Sequence, residues 1–308
     1  MRDTFVRTLI EIAKKDKNIE LVTGDLGFGV LKPYWEEVPN QFTNAGIAEQ
    51  NMTTLAAGMA LEGKTVFTYS IGNFPTLRCL EQIRNDCAYH KANVKIVCVG
   101  GGFVYGSLGM SHHATEDIAI LRALPNVVVL APGDLTEAEA ATKAIAKYNG
   151  TCYLRLGRGG EKRIHEKLDN FEIGKAIKVK DGTKVAIFST GAIFEEIQGA
   201  TELLEKEGID PAVFTFPTIK PLDKDVILSC AKDFELIVTV EEQNIVGGFG
   251  SAVAEVLAEQ QTKARLLRVG LNDTYSTIVG SQKYLRSQFG IDSQGIAEKI
   301  LKTLSKHE

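Results

Sequence analysis

Short runs of β-branched and aromatic residues alternate with longer segments of helical period from one end of the chain to the other, and that rhythm leaves few folds open. Phe5, Leu9, Ile10 and Ile12 recur at helical spacing within residues 4 to 15, and Ile19 to Val22 follow as a short apolar run, so a helix precedes a strand. TVFTYS, VKIVCVG and NVVVLAP read as further strands, separated by the helix-like AEQNMTTLAAGMALEG and TLRCLEQIRNDCAYHK. The second half repeats the pattern, with strands in KVAIFST, PAVFTF and ELIVTVE and helices in EEIQGATELLEKEG and KDVILSCAKD. Strands alternating with helices imply a mostly parallel sheet with helices on both faces. The predicted fold is therefore α/β, with two domains that each hold a mostly parallel sheet.

The stretch GRGGEKRIHEKLDNFEIGKAIKVKDG is rich in glycine and charge and has little helical period, as a connecting segment does. It sets the expected domains at 1–165 and 181–308, with 166–180 as linker. A chain of 308 residues that is 44% hydrophobic has enough apolar material for two cores. The net charge of -4, from 35 Lys and Arg against 39 Asp and Glu, offers no cationic field for nucleic acid. Glu11, Lys14 and Lys15 interrupt the first apolar pattern, which disfavours a signal peptide, and no apolar run approaches the roughly 20 residues of a membrane span. The five cysteines, Cys79, Cys87, Cys98, Cys152 and Cys230, lack CxxC spacing and read as buried thiols of a cytoplasmic protein.

Gly100-Gly101-Gly102 follows a strand, where a dinucleotide-binding loop would begin, yet Tyr105 stands where G-x-G-x-x-G needs its third glycine. Gly248-Phe249-Gly250 fails in the same way, with Val253 at that place. Glycine turns at the carboxyl ends of strands nevertheless line the crevice where α/β proteins bind ligands. Glu49 opens a helix in NAGIAEQN, and the positive end of the helix dipole is by itself reason enough for an acid there. A histidine pair such as His112-His113 in a turn is by itself a solvated or capping feature.

GIAEQN followed by LAAGMALEGK resembles the pyrimidine-domain segment of transketolases and deoxyxylulose-phosphate synthases, both thiamine-diphosphate enzymes. The similarity runs on through EQIRND, SHHATEDIAILRALPNVVVLAPGD, LRLGRGG, TIKPLD and VEEQNIVGGFGSAVAE, in the order of that family's last two domains. It implies a pyrimidine-binding domain followed by a transketolase C-terminal domain. Glu49 matches the family's glutamate, which stands against the far ring nitrogen of the aminopyrimidine and stabilises the imino tautomer that takes the thiazolium proton. Phe74 matches a stacking aromatic, while Ile71 and Leu77 stand where relatives have two more, and Asp25 and Leu26 match a segment supporting the cofactor. His112 matches a histidine that hydrogen-bonds sugar oxygens, which makes Glu49 and His112 the expected catalytic pair; His113 replaces a glutamine and Glu116 matches an orienting acid.

The resemblance also carries substrate recognition. Arg2 and Arg158 match arginines that hold an anionic sugar end, whereas Gly100 falls at a histidine position, Gly27 near a serine and Leu108 at an acidic position. These replacements imply a wider or less polar acceptor end. Gln243 stands where relatives often have histidine.

The Gly-Asp-Gly that holds Mg²⁺ in such enzymes is missing, since Gly24-Asp25 and Gly133-Asp134 are both followed by Leu, and no residue here is expected to bind metal. The resemblance therefore points to the C-terminal subunit of a split transketolase that transfers a two-carbon ketol unit. It would be silent alone and active in an α2β2 assembly whose N-terminal subunit supplies the diphosphate and Mg²⁺ contacts, acting on sugars and on neither membranes nor nucleic acid. Open alternatives are an unusual anionic or nucleotide-linked acceptor, a deoxyxylulose-phosphate synthase fragment, the beta chain of a 2-oxo acid dehydrogenase, and a non-catalytic regulatory subunit.

Overall fold

The computed structural model describes residues 1–308 apart from 169, 261 and 306–308, which fall in the expected linker and second domain. Its strands are β1 (Ile19–Thr23), β2 (Phe42–Asn44), β3 (Thr65–Ile71), β4 (Val94–Val99), β5 (Val127–Leu130), β6 (Thr151–Leu156), β7 (Ile177–Lys180), β8 (Val185–Ser189), β9 (Ala212–Thr215), β10 (Thr218–Lys220), β11 (Leu236–Asn244) and β12 (Arg265–Leu271). They form a seven-stranded sheet in the order β10-β5-β6-β4-β3-β1-β2 and a five-stranded sheet in the order β12-β11-β8-β9-β7. Within each sheet every pairing is parallel except at one edge, where β10 runs antiparallel to β5 and β7 antiparallel to β9. Two mostly parallel sheets flanked by helices are what the sequence pattern predicts.

The reason lies in burial. β1, β4, β5, β6 and β8 are buried at every position, as strands covered on both faces must be, and their sequences are mostly apolar, with Glu20, Lys95 and Arg155 as buried charged exceptions. The helices Arg2–Lys15 and Leu135–Lys147 cover one face of the first sheet, meeting it through Phe5, Leu9, Ala138 and Ile145. The other face belongs to an apolar cluster that contains Met52, Ile83 and Ile96 of the first half together with Phe188, Phe216 and Phe249 of the second. The two halves thus share a core.

Two elements depart from the sequence reading. β7 lies within 166–180, the segment expected to be linker, and closes one edge of the second sheet. The single long helix expected in TLRCLEQIRNDCAYHK is a short helical turn, Leu80–Gln82, continued by a π-helical segment, Ile83–Ala88. All five cysteines are buried and unpaired, as expected. No described helix is long and apolar enough to cross a membrane.

Candidate cofactor and substrate site

The carboxyl ends of β1, β2, β3, β4 and β6 lie side by side at one end of the parallel sheet, where α/β proteins bind ligands, and the loops leaving them carry most of the candidate residues. Asp25 and Leu26 follow β1, Glu49 follows β2, Ile71 ends β3 with Phe74 just beyond it, Gly100 and the histidines follow β4, and Arg158 follows β6. Only Arg2 comes from elsewhere, at the start of the first helix.

Glu49 begins the helix Glu49–Leu61 with its side chain 5% exposed. Arg78 Nη1 donates to its Oε2 at 2.8 Å, while Oε1 has no hydrogen-bond partner among the described residues. The Arg78 guanidinium lies 4.6 Å above the Phe74 ring centroid, and that ring meets the His112 ring edge-on at 5.2 Å. A carboxylate, a guanidinium, an aromatic face and an imidazole therefore form one continuous row. Local backbone fixes the far end: Gly72 sits at φ +50° with the His112 carbonyl 2.9 Å from where a Cβ would be, and Asn73 Nδ2 donates to the His113 carbonyl at 2.5 Å. Asp25 occupies the left-handed region at φ 56° and is locked there by Asn44, which accepts from the Asp25 backbone N–H at 3.0 Å and donates to its carboxylate at 2.9 Å.

His113 differs from its neighbour. It is buried, packed edge-on against Phe103 at 5.1 Å, and its Nε2 lies 3.3 Å from the Gly106 carbonyl, which can only accept, so Nε2 carries the proton. Burial pulls its pKa below the ordinary value. It supports the loop from behind, whereas His112 is half-exposed and faces the row. Glu116 accepts from both the N–H and the hydroxyl of Thr115.

The row joins a buried carboxylate at a helix start to an aromatic ring through one guanidinium. Residues 1–160 match the family Transketolase, pyrimidine binding domain, and residues 174–296 match Transketolase, C-terminal domain. The chain belongs to the transketolase family. Several transketolase-family relatives match it over nearly their whole length. A putative transketolase C-terminal section of Methanocaldococcus jannaschii is 41% identical over 309 residues, covering 99% of this chain and 96% of that one. A Phocaeicola vulgatus protein named as one of the subunits of an apulose-4-phosphate transketolase is 36% identical, covering 99% and 97%. A solved structure described as a split gene transketolase, inactive beta4 tetramer, superposes with a TM-score of 0.89 at 32% identity, covering 99% of this chain and 97% of that one.

Within this transketolase-family chain the structure corrects one expectation from the sequence. Gly100 and Gly27 leave no extra room. A Cβ on Gly100 would fall 2.2 Å from Tyr105 Cε2, and one on Gly27 would fall 2.9 Å from Leu31, so neighbouring side chains already fill both spaces. Leu108, by contrast, is exposed, as is Met110 beside it.

The sequence reading also missed the framework that holds the site. Gly101 is a glycine because Arg155 Nε would be 2.4 Å from its Cβ, and Gly102 because the Glu242 side chain would be 2.6 Å from its own. Arg155 is buried, pairs with Asp117 at 2.8 Å and donates to the carbonyls of Ala114 and Glu242. Glu242 accepts from the Phe103 N–H at 2.7 Å and from Gln282 and Arg286, so a carboxylate of the second domain anchors the glycine turn of the first. Gln243 is fully buried and its amide has no partner among the described residues. Arg78 carried no motif in the sequence, and only the fold brings it to Glu49 across 29 positions.

Proposed function

We propose that this chain is the C-terminal subunit of a two-polypeptide transketolase that transfers a two-carbon ketol unit from a ketose to an aldose or related acceptor. The observation that carries this reading is the row Glu49, Arg78, Phe74 and His112, in which one buried carboxylate oxygen is tied down and the other has no partner among the described residues. Thiamine diphosphate, bound with Mg²⁺, would supply the nucleophilic carbon that such a transfer needs. Glu49 Oε1 would share a proton with the pyrimidine ring nitrogen, Phe74 would stack on the ring face, and Asp25 and Leu26 would support it from the β1 loop. His112, whose imidazole can both donate and accept, would hydrogen-bond sugar oxygens and pass protons to them. Arg2 and Arg158 would orient an anionic end.

The diphosphate and Mg²⁺ contacts fall to a second polypeptide, in keeping with the absence of a Gly-Asp-Gly from this sequence. The solved relative described as an inactive beta4 tetramer supports the view that this chain is silent by itself and works in an assembly such as α2β2. Five unpaired buried thiols fit a reducing cytoplasm. A second reading, in which the acceptor is an unusual sugar phosphate, is favoured by exposed Leu108 and Met110 near His112 and by the substrate named for the Phocaeicola relative. The test is reconstitution with an N-terminal subunit from the same organism, followed by an assay of ketol transfer from ketose donors. Transfer by the mixture and none by either chain is expected. Full activity of this chain alone would remove the split arrangement, and no transfer by the mixture from any ketose would remove the function.

A further inference from the structure

Tyr105 is the residue whose surroundings the reading above leaves unexplained. The Cδ2–Cε2 edge of its ring lies against Gly100, which sits at φ +96° and whose missing Cβ would be 2.2 Å and 2.4 Å from Tyr105 Cε2 and Cδ2. The ring can occupy that place only while residue 100 is glycine. The short turn Gly106–Leu108 starts immediately after it, with the Gly106 N–H donating to the Phe103 carbonyl at 2.8 Å, so the backbone that aims the ring is fixed. The Arg158 guanidinium is 5.5 Å from the ring centroid, and the His112 ring is 6.5 Å away on another side. Arg2 and Arg158 are both close enough to pull the phenol toward ionisation against the upward push of burial. Asp3, paired with Arg2 at 3.0 Å, is the carboxylate of this corner.

The hydroxyl of Tyr105 makes no hydrogen bond to a described residue, and neither neighbouring arginine can accept its proton. A guanidinium carries only donors, so an arginine can give a hydrogen bond to the phenol oxygen but can take none from it. The phenol proton is left without an acceptor at a half-open site flanked by positive charge. A terminal oxyanion satisfies all three groups together, accepting from the phenol and from both arginines.

We infer that Tyr105 is a specificity-determining residue whose hydroxyl donates to the terminal oxyanion of a sugar phosphate or sugar sulfonate held by Arg2 and Arg158. This rests on the transketolase reading and deepens it by adding a residue to the anionic end, since Tyr105 lies within the span of a short sugar from His112.

The experiment uses the reconstituted complex with the Tyr105→Phe variant, which keeps the ring edge against Gly100 and removes only the hydroxyl. Specificity constants are compared for an aldose phosphate, an aldose sulfonate of equal length and the neutral aldose. The ratio of anionic to neutral acceptor should fall about tenfold, the effect of one hydrogen bond to a charged group, and the loss should sit in KM rather than kcat. A fall for phosphate, for sulfonate or for both supports the inference and identifies the source. An unchanged ratio, or an equal loss for all three, overturns it while leaving the transferase reading intact. Absence of transfer by the wild-type complex with every acceptor overturns both.

Discussion

Arg78 Nη1 stands 2.8 Å from Glu49 Oε2, and the same guanidinium covers the Phe74 ring at 4.6 Å. One side chain therefore sets the angle of the carboxylate and the attitude of the aromatic plane together. Arg78→Met keeps the aliphatic stem and removes the pair. In the reconstituted complex it should weaken thiamine diphosphate about tenfold, the effect of one charge-assisted hydrogen bond, as read by titration calorimetry. Unchanged affinity would make the Arg78–Glu49 pair incidental to the site.

Glu49→Gln is nearly isosteric, and the helix it starts should persist. Exchange of the cofactor's thiazolium proton in the complex should slow by about two to four orders of magnitude, the range for lost acid-base assistance. An exchange rate equal to wild type would take Glu49 out of the chemistry.

The chain without its partner should bind thiamine diphosphate and Mg²⁺ weakly, because Glu49 and Phe74 address the pyrimidine end only. Calorimetry with and without the N-terminal subunit measures the difference. Tight magnesium-dependent binding to the single chain would contradict the division of contacts proposed above.

Gly101→Ala pushes a methyl group into Arg155, which is already committed to Asp117 and two carbonyls. Overpacking of this kind costs about 1–3 kcal/mol. Thermal unfolding should show the loss, and the exposed substitution Glu62→Ala, away from the turn, serves as the comparison. A wild-type melting temperature for Gly101→Ala would mean that Arg155 has slack that the geometry does not suggest.

His113 gives a pH signature. Burial lowers its folded pKa below 6.5, so on acidification the unfolded chain takes up a proton before the folded chain does. Stability held above that value is then lost as pH falls through and below it. His113→Gln lacks this loss, and its deficit in melting temperature relative to wild type should shrink between about pH 7.5 and about pH 5.5. A deficit that grows on acidification would mean that His113 is protonated in the fold.

The strand and helix rhythm was legible because burial on both faces leaves a local trace, a run of apolar residues bounded by turns, and the helix at Glu49 was legible from its neighbours in the chain. The supports of the site were not legible. Glu242 reaches Phe103 across 139 positions and Arg155 reaches the Glu242 carbonyl across 87, separations at which no local pattern exists. The three glycines read as one tight turn, yet each is required by a different partner, Tyr105, Arg155 or Glu242. The inference of a roomier acceptor end from Gly100 failed for the same reason, because the side chain that fills the space comes from five residues later.

β10 places a strand of the C-terminal half on the outer edge of the first sheet, with Thr218 opposite Leu130 and Lys220 opposite Val129. During synthesis the first sheet thus remains one strand short until Lys220 has cleared the ribosome, although every other strand it needs is complete by Leu156. A gene cut at 166–180 would release a first product with the β5 edge unpaired and open to other chains, the condition that favours aggregation. The point at which this polypeptide can be divided is therefore set by strand order and not by where its connecting segment lies.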